Sequence, residues 1–186
     1  ECYGVAASNP VPAAAVAVVG NMCFRSQGIS GHAAFPEGTK SALGLLVKKL
    51  SCVDGLAEEP ALKLVEILGD DGYGIGAGIA CQDAESGRLT CNLGTLLLKN
   101  GCLEGQVDIR YPVTVNAEEI LEKFEEFLNR YGYVIKEKKN SAPYYFSPEE
   151  PVVQSLMDIY REVTGEQEAQ PYTMGGGTYA RKLPRT

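Results

Sequence analysis

Tryptophan is absent from the 186 residues, phenylalanine occurs only five times, and there is a single histidine, His32. One imidazole is too few for a catalytic metal centre, which usually takes two or more imidazoles or a cysteine cluster, so a complete centre is not expected from these residues. Cationic runs are equally scarce. Seventeen Lys and Arg stand against 24 Asp and Glu, a net charge of −7, and Lys136, Lys138 and Lys139 around Glu137 make the only notable basic run. That balance repels phosphate backbones and anionic lipid surfaces, so neither nucleic acid nor a membrane is an expected partner. No apolar run has spanning length either: the stretch 11–19 is about half what a membrane helix needs, and it contains Pro12 and lacks a basic flank. Nor is there a C-x-x-C pair. Cys2, Cys23, Cys52, Cys81, Cys91 and Cys102 are scattered, which predicts free, buried thiols in a cytoplasmic protein rather than a disulfide framework.

What is present is a globular composition, 45% hydrophobic with 21 Gly and 10 Pro, which excludes disorder. Residues 21–28 read as a strand, 39–50 as a helix with Leu43, Leu46, Val47 and Leu50 on one face, and 60–68 as a helix opened by Pro60. Residues 89–98 and 103–111 read as a hairpin around Asn100-Gly101, because Asn-Gly supplies the positive φ angles of a tight turn. A helix follows over 117–131 with Asn116 and Glu119 as a capping box, then a strand over 133–138. Strand, helix, hairpin, helix, strand is the split βαβ order of a ferredoxin-like two-layer sandwich, an α+β fold expected over 1–140 with its core at 21–139. Beyond it, a second capping box (Ser147, Glu150), a helix over 148–164 and a strand over 170–174 predict part of another, unfinished α/β domain at 141–186.

Four features bear chemistry. His32 sits in the glycine-rich loop 28–38, where it is either an ordinary surface or satisfied core residue, or a hydrogen-bond donor to a developing oxyanion or a proton shuttle. Arg110, on the polar side of its strand, is either a solvated or salt-bridged arginine or a bidentate grip on a carboxylate. Gly175, Gly176, Gly177 and Thr178 could form a backbone nest for an anionic ligand terminus, although no Walker-type phosphate loop is matched. Asn9, in Asn9-Pro10-Val11-Pro12 with its two prolines, is either a plain turn or a rigid amide donor.

Together Asn9–Pro12, Gly28–Gly38, Leu89–Gly94, Asp108–Pro112 and, most specifically, Tyr172–Arg181 (Y-T-M-G-G-G-T-Y-A-R) resemble the dinuclear-zinc metallopeptidase family of peptidase V, carnosinase, acetylornithine deacetylase and succinyl-diaminopimelate desuccinylase, with the peptidase V dipeptidases as the nearest branch. The resemblance implies that 1–140 is the lid and 141–186 a piece of the catalytic domain. By the same resemblance His32 would stabilise the oxyanion with help from Asn9, and Arg110 and the 175–178 loop would hold the substrate's C-terminal carboxylate. The family's H-x-D motif, its Glu-Glu pair and its C-terminal histidine are not matched, so two zinc ions are expected in a longer parent and none on this chain. The stretch 12–21 is also shorter than the family's: either the lid is abridged, or pieces of a longer polypeptide meet near 19–21. A deacylase of the same family and a non-catalytic binding module, homodimeric through a strand edge of the lid, are the alternatives.

Overall fold

The computed structural model describes the backbone at 2–4 and all of residues 8–177. Its elements are β1 (Cys2–Gly4), β2 (Ala14–Val19), β3 (Met22–Gln27), α1 (Ala42–Leu50), α2 (Pro60–Asp70), β4 (Gln82–Asp83), β5 (Gly87–Arg88), β6 (Thr90–Lys99), β7 (Cys102–Arg110), α3 (Ala117–Asn129) and α4 (Pro151–Thr164). The main sheet is antiparallel in the order β3-β2-β1-β6-β7, and β4 and β5 form a small separate ribbon.

The fold is α+β, as expected, with helices packed on the sheet over one core. Leu43, Leu46, Val47 and Leu50 of α1, Leu64, Val65 and Leu68 of α2, and Ile120, Phe124 and Phe127 of α3 bury against Ala15, Ala17, Cys91, Leu93 and Leu96 of the sheet. The small alanines of β2 let α1 lie close, and Ser26 Oγ donates to Ala42 O at 2.6 Å, tying β3 to the first turn of α1. Asn100 and Gly101, with φ of 52° and 76°, turn β6 into β7 as the Asn-Gly pair predicts.

Three expectations are corrected. The apolar stretch 11–19 contains strand β2, which turns at Gly20 (φ 57°) into β3; with β1 it gives a five-stranded sheet rather than the four of a split βαβ unit. The strand expected at 133–138 is not formed. Tyr133 and Ile135 pack on the core and Val134 points out, so the in-out pattern is real. The segment is fastened at its ends instead, by Tyr133 N–H donating to Leu128 O and by a Lys136–Glu104 ion pair, with no ladder between. The strand expected at 170–174 is likewise irregular. Smaller shifts concern caps. The last helix starts at Pro151, and Ser147 and Glu150 close the turn before it, Ser147 N–H donating to Glu150 Oε1 at 3.2 Å. At α3, Asn116 caps by accepting from Glu118 N–H. The described thiols are free, but Cys23, Cys52 and Cys102 are exposed and only Cys91 is buried. None of the described helices is long and apolar enough to cross a membrane.

Candidate functional site

The site residues come from loops that the sheet brings to one end. Asn92, buried at 7% exposure on β6, donates through Nδ2 to Ser8 O (2.9 Å) and Pro10 O (3.0 Å), which pins the 8–10 turn against the strand. Gly94 permits this approach: a Cβ there would lie 2.4 Å from Ser8 O, and the sheet register shifts at that residue. The pinned turn in turn holds the histidine loop. Val11 N–H donates to Gly31 O, Ala33 N–H donates to Asn9 O, and Pro10 and His32 form an isolated antiparallel bridge. Asn9 and His32 are therefore neighbours, both exposed.

The 28–38 loop closes on itself at Gly28, where a Cβ would fall 2.0 Å from Lys40 O. Within it, Ala34 N–H donates to His32 Nδ1 at 3.1 Å. With Nδ1 accepting, the neutral ring carries its proton on Nε2, leaving that N–H as a donor.

Arg110 ends β7. Its Nε and Nη2 donate to the two oxygens of Asp108, each at 3.0 Å, and Nη1 donates to the carbonyl oxygen of Gly175. Both side chains of the ion pair are largely buried, which fixes the guanidinium plane. Gly175 is the meeting point of the site: a Cβ on it would touch Arg110 Cδ at 3.2 Å and Ala34 Cβ at 3.3 Å. The histidine loop, the arginine strand and the glycine segment thus converge. Thr173 Oγ1, donating to Glu85 O at 3.1 Å, steadies the same segment from the ribbon side. One long cleft runs past Ser8, Ala34, Thr90, Arg110, Gly175 and Gly177. His32 and Asn9 stand beside it through Ala34 and Ser8, while Gly176 lines it with Gly177. What Gly175 presents to Arg110 is a carbonyl acceptor rather than a nest of N–H groups. Thr178 lies outside the described residues.

Two features of this end escaped the sequence reading. One is the pairing itself: the stretch Asp108–Pro112 was singled out, but not that Asp108, two residues from Arg110 on the same strand face, braces its guanidinium. The other is a partnered cluster on the cleft wall. Tyr73 hydroxyl donates to Glu37 Oε1, which holds the Glu37 carboxyl below its ordinary range and the Tyr73 phenol above its own. Arg88 lies over the Tyr73 ring, 3.6 Å from its centroid. As for metal, no group of three His, Cys, Asp or Glu that could hold an ion comes together among the described residues.

The cleft, the histidine loop and the braced arginine lie together on the α+β scaffold, and the chain is similar to proteins named as dipeptidases. The chain is 34% identical over 169 residues to "Putative dipeptidase YtjP" of Bacillus subtilis, an alignment covering 88% of this chain and 35% of that protein. It is 36% identical over 115 residues to "Putative dipeptidase SSP1012" of Staphylococcus saprophyticus, covering 61% and 24%. A third, "Putative dipeptidase MW1694" of Staphylococcus aureus, is 33% identical over 118 residues, covering 62% and 25%. The chain therefore spans about a third or less of the length of these relatives. No model of a known protein family matches it.

Proposed function

We propose that this chain is the lid and substrate-gripping part of a zinc-dependent dipeptidase of the peptidase V kind, cleaving short peptides that carry a free C-terminal carboxylate. One observation carries the reading: Gly175 packs between Ala34 of the histidine loop and Arg110, so three segments singled out separately in the sequence share one cleft. The dipeptidase names of the relatives support the reaction class. His32 Nε2–H is the donor to the oxyanion that develops at the scissile carbonyl, with Asn9 beside it on the pinned turn. Arg110, its plane fixed by Asp108, sets the register by holding the carboxylate, and fixing that register brings the scissile bond to the histidine. The two zinc ions, which would activate water, are assigned to residues of the longer polypeptide and not to this chain. A cytoplasmic setting goes with the exposed free thiols of Cys23, Cys52 and Cys102.

The test is His32→Ala in the full-length dipeptidase. Turnover of dipeptides is expected to fall by about 10² to 10³, the usual loss for an oxyanion donor, with KM little changed. Unchanged turnover rejects the role. Arg110→Ala distinguishes the alternatives: loss confined to substrates with a free carboxylate supports a dipeptidase, and equal loss on amidated ones supports a deacylase. The second reading, a pairing module, has β3 in its favour, since that strand lies at the edge of the described sheet with Met22 and Cys23 exposed. Sedimentation of the chain as a tight dimer would favour it.

A further inference from the structure

Two buried side-chain oxygens have no hydrogen-bond partner among the described residues, Ser41 Oγ and Thr90 Oγ1, and of the two only Thr90 lines the cleft with Arg110. Thr90, the first residue of β6, is 6% exposed, and its Oγ1 has no hydrogen-bond partner among the described residues. Native structures contain few such groups, and each calls for a reason. Several polar neighbours on the cleft do have partners. Ser86 Oγ donates to Asp83 and accepts from Val113 N–H, Tyr73 bonds to Glu37, and Arg88 covers the Tyr73 ring.

Thr90 is the register partner of Arg110. Directly opposed residues of an antiparallel pair point to one face, their Cβ atoms about 4.5–5.5 Å apart. Both residues line the cleft. Arg110 has a limited supply of donors: Asp108 takes Nε–H and one Nη2–H, and Gly175 O takes one Nη1–H, so one N–H remains on each terminal nitrogen. A carboxylate offers about four lone-pair sites, more than two N–H groups can fill.

We propose that the Thr90 hydroxyl is a further substrate-binding group, donating to the same carboxylate that Arg110 holds, so that two cross-strand neighbours grip one peptide C-terminus. The assignment rests on the Arg110 reading given above. It explains why a hydroxyl is kept buried and unpaired in the free protein: its partner arrives with the substrate.

Thr90→Val tests it, because valine keeps the shape and removes only the hydroxyl. In the zinc-loaded full-length dipeptidase, KM for a dipeptide with a free C-terminus should rise about tenfold or more, the usual worth of a hydrogen bond to a charged group, while KM for its C-terminal amide stays put. Thr90→Ser should stay within about twofold of wild type on both substrates. Thr90→Val should also unfold at an equal or higher urea concentration, since it deletes an unpaired buried polar group. Unchanged KM on both substrates, or equal losses on both, would overturn the proposal. An Arg110→Ala arm separates the causes. If that variant loses its preference for the free carboxylate and Thr90→Val does not, the Thr90 assignment alone falls. If Arg110→Ala keeps the preference, the arginine reading falls and takes this one with it. Absence of wild-type hydrolysis of either dipeptide rejects both.

Discussion

Cys91 sits one residue along β6 from Thr90 but faces the core, 1% exposed, and burial pushes its thiol up to about 12, with the negative charges of Asp71 and Asp108 adding to the effect. In the unfolded chain the same thiol ionises near 9. The folded state therefore keeps a proton that the unfolded state loses, so the contribution is complete below about pH 9 and is lost as pH rises toward 12. Urea midpoints measured at pH 8, 9.5 and 10.5 should fall steadily, and Cys91→Ala should flatten the first part of that fall. A thiol reagent at pH 8 should modify Cys23, Cys52 and Cys102 in the native protein and reach Cys91 only after unfolding. Labelling of Cys91 as fast as Cys102 would contradict its burial. The expectation of free thiols holds for the described cysteines, but that of burial fails at Cys23, Cys52 and Cys102, because spacing along the chain does not fix which way a side chain faces.

Helices α1 and α2 cross at two glycines. A Cβ on Gly44 would lie 2.9 Å from Gly69 O and 3.0 Å from Gly69 C, and one on Gly69 would lie 2.8 Å from Gly44 Cα. These neighbours are backbone and cannot swing aside. Gly44→Ala gains about 1 kcal/mol of helix propensity and loses about 1–3 kcal/mol to overpacking, so a net destabilisation is expected, read as a lower urea midpoint with unchanged slope. A midpoint at or above wild type would mean the helices separate without cost. Elements with strong periodic patterns were legible in the sequence: the leucine faces of α1 and α2, the Asn-Gly hairpin and the phenylalanine face of α3 all lie where residue spacing puts them. β2 was missed because an alanine-rich run carries little alternation of size or polarity, and its strand state follows from pairing with β1 and β3. The segment 133–138 fails the other way. Alternation records which side chains are buried, whereas a strand also needs a partner's backbone, and packing of Tyr133 and Ile135 satisfies the first condition without the second. In the candidate site, local chemistry singled out His32, Arg110 and Gly175 in the sequence, and the fold brings their segments together. Asn92, Gly94 and Thr90 act through contacts that exist only after β6 meets the 8–10 turn and β7.

Over the described residues the packing changes along the chain, and the expected boundary near residue 140 can be put to a test. Every buried residue of the core lies before it, the last being Phe127, while α4 buries none of its side chains. Val152, Leu156, Ile159, Tyr160 and Val163 repeat at helical spacing along α4 and stay exposed, Val163 at 80%. An amphipathic helix gains its stability from the face it buries, so α4 contributes little to holding this sheet together. Its segment is joined to the site by Thr173 donating to Glu85 O and Gly175 O accepting from Arg110, contacts at the surface rather than in the core. A chain ending at Asn140 should therefore fold, keep its helix and sheet signals, and melt within a few degrees of the 186-residue protein. The same truncation releases one Arg110 N–H, because Gly175 O is its acceptor, and leaves the Asp108 pair intact. Circular dichroism melts of the two lengths side by side decide the matter: a fall of more than about ten degrees, or loss of cooperativity, would show that 141–186 belongs to the same folding unit as the sheet and that the boundary is misplaced.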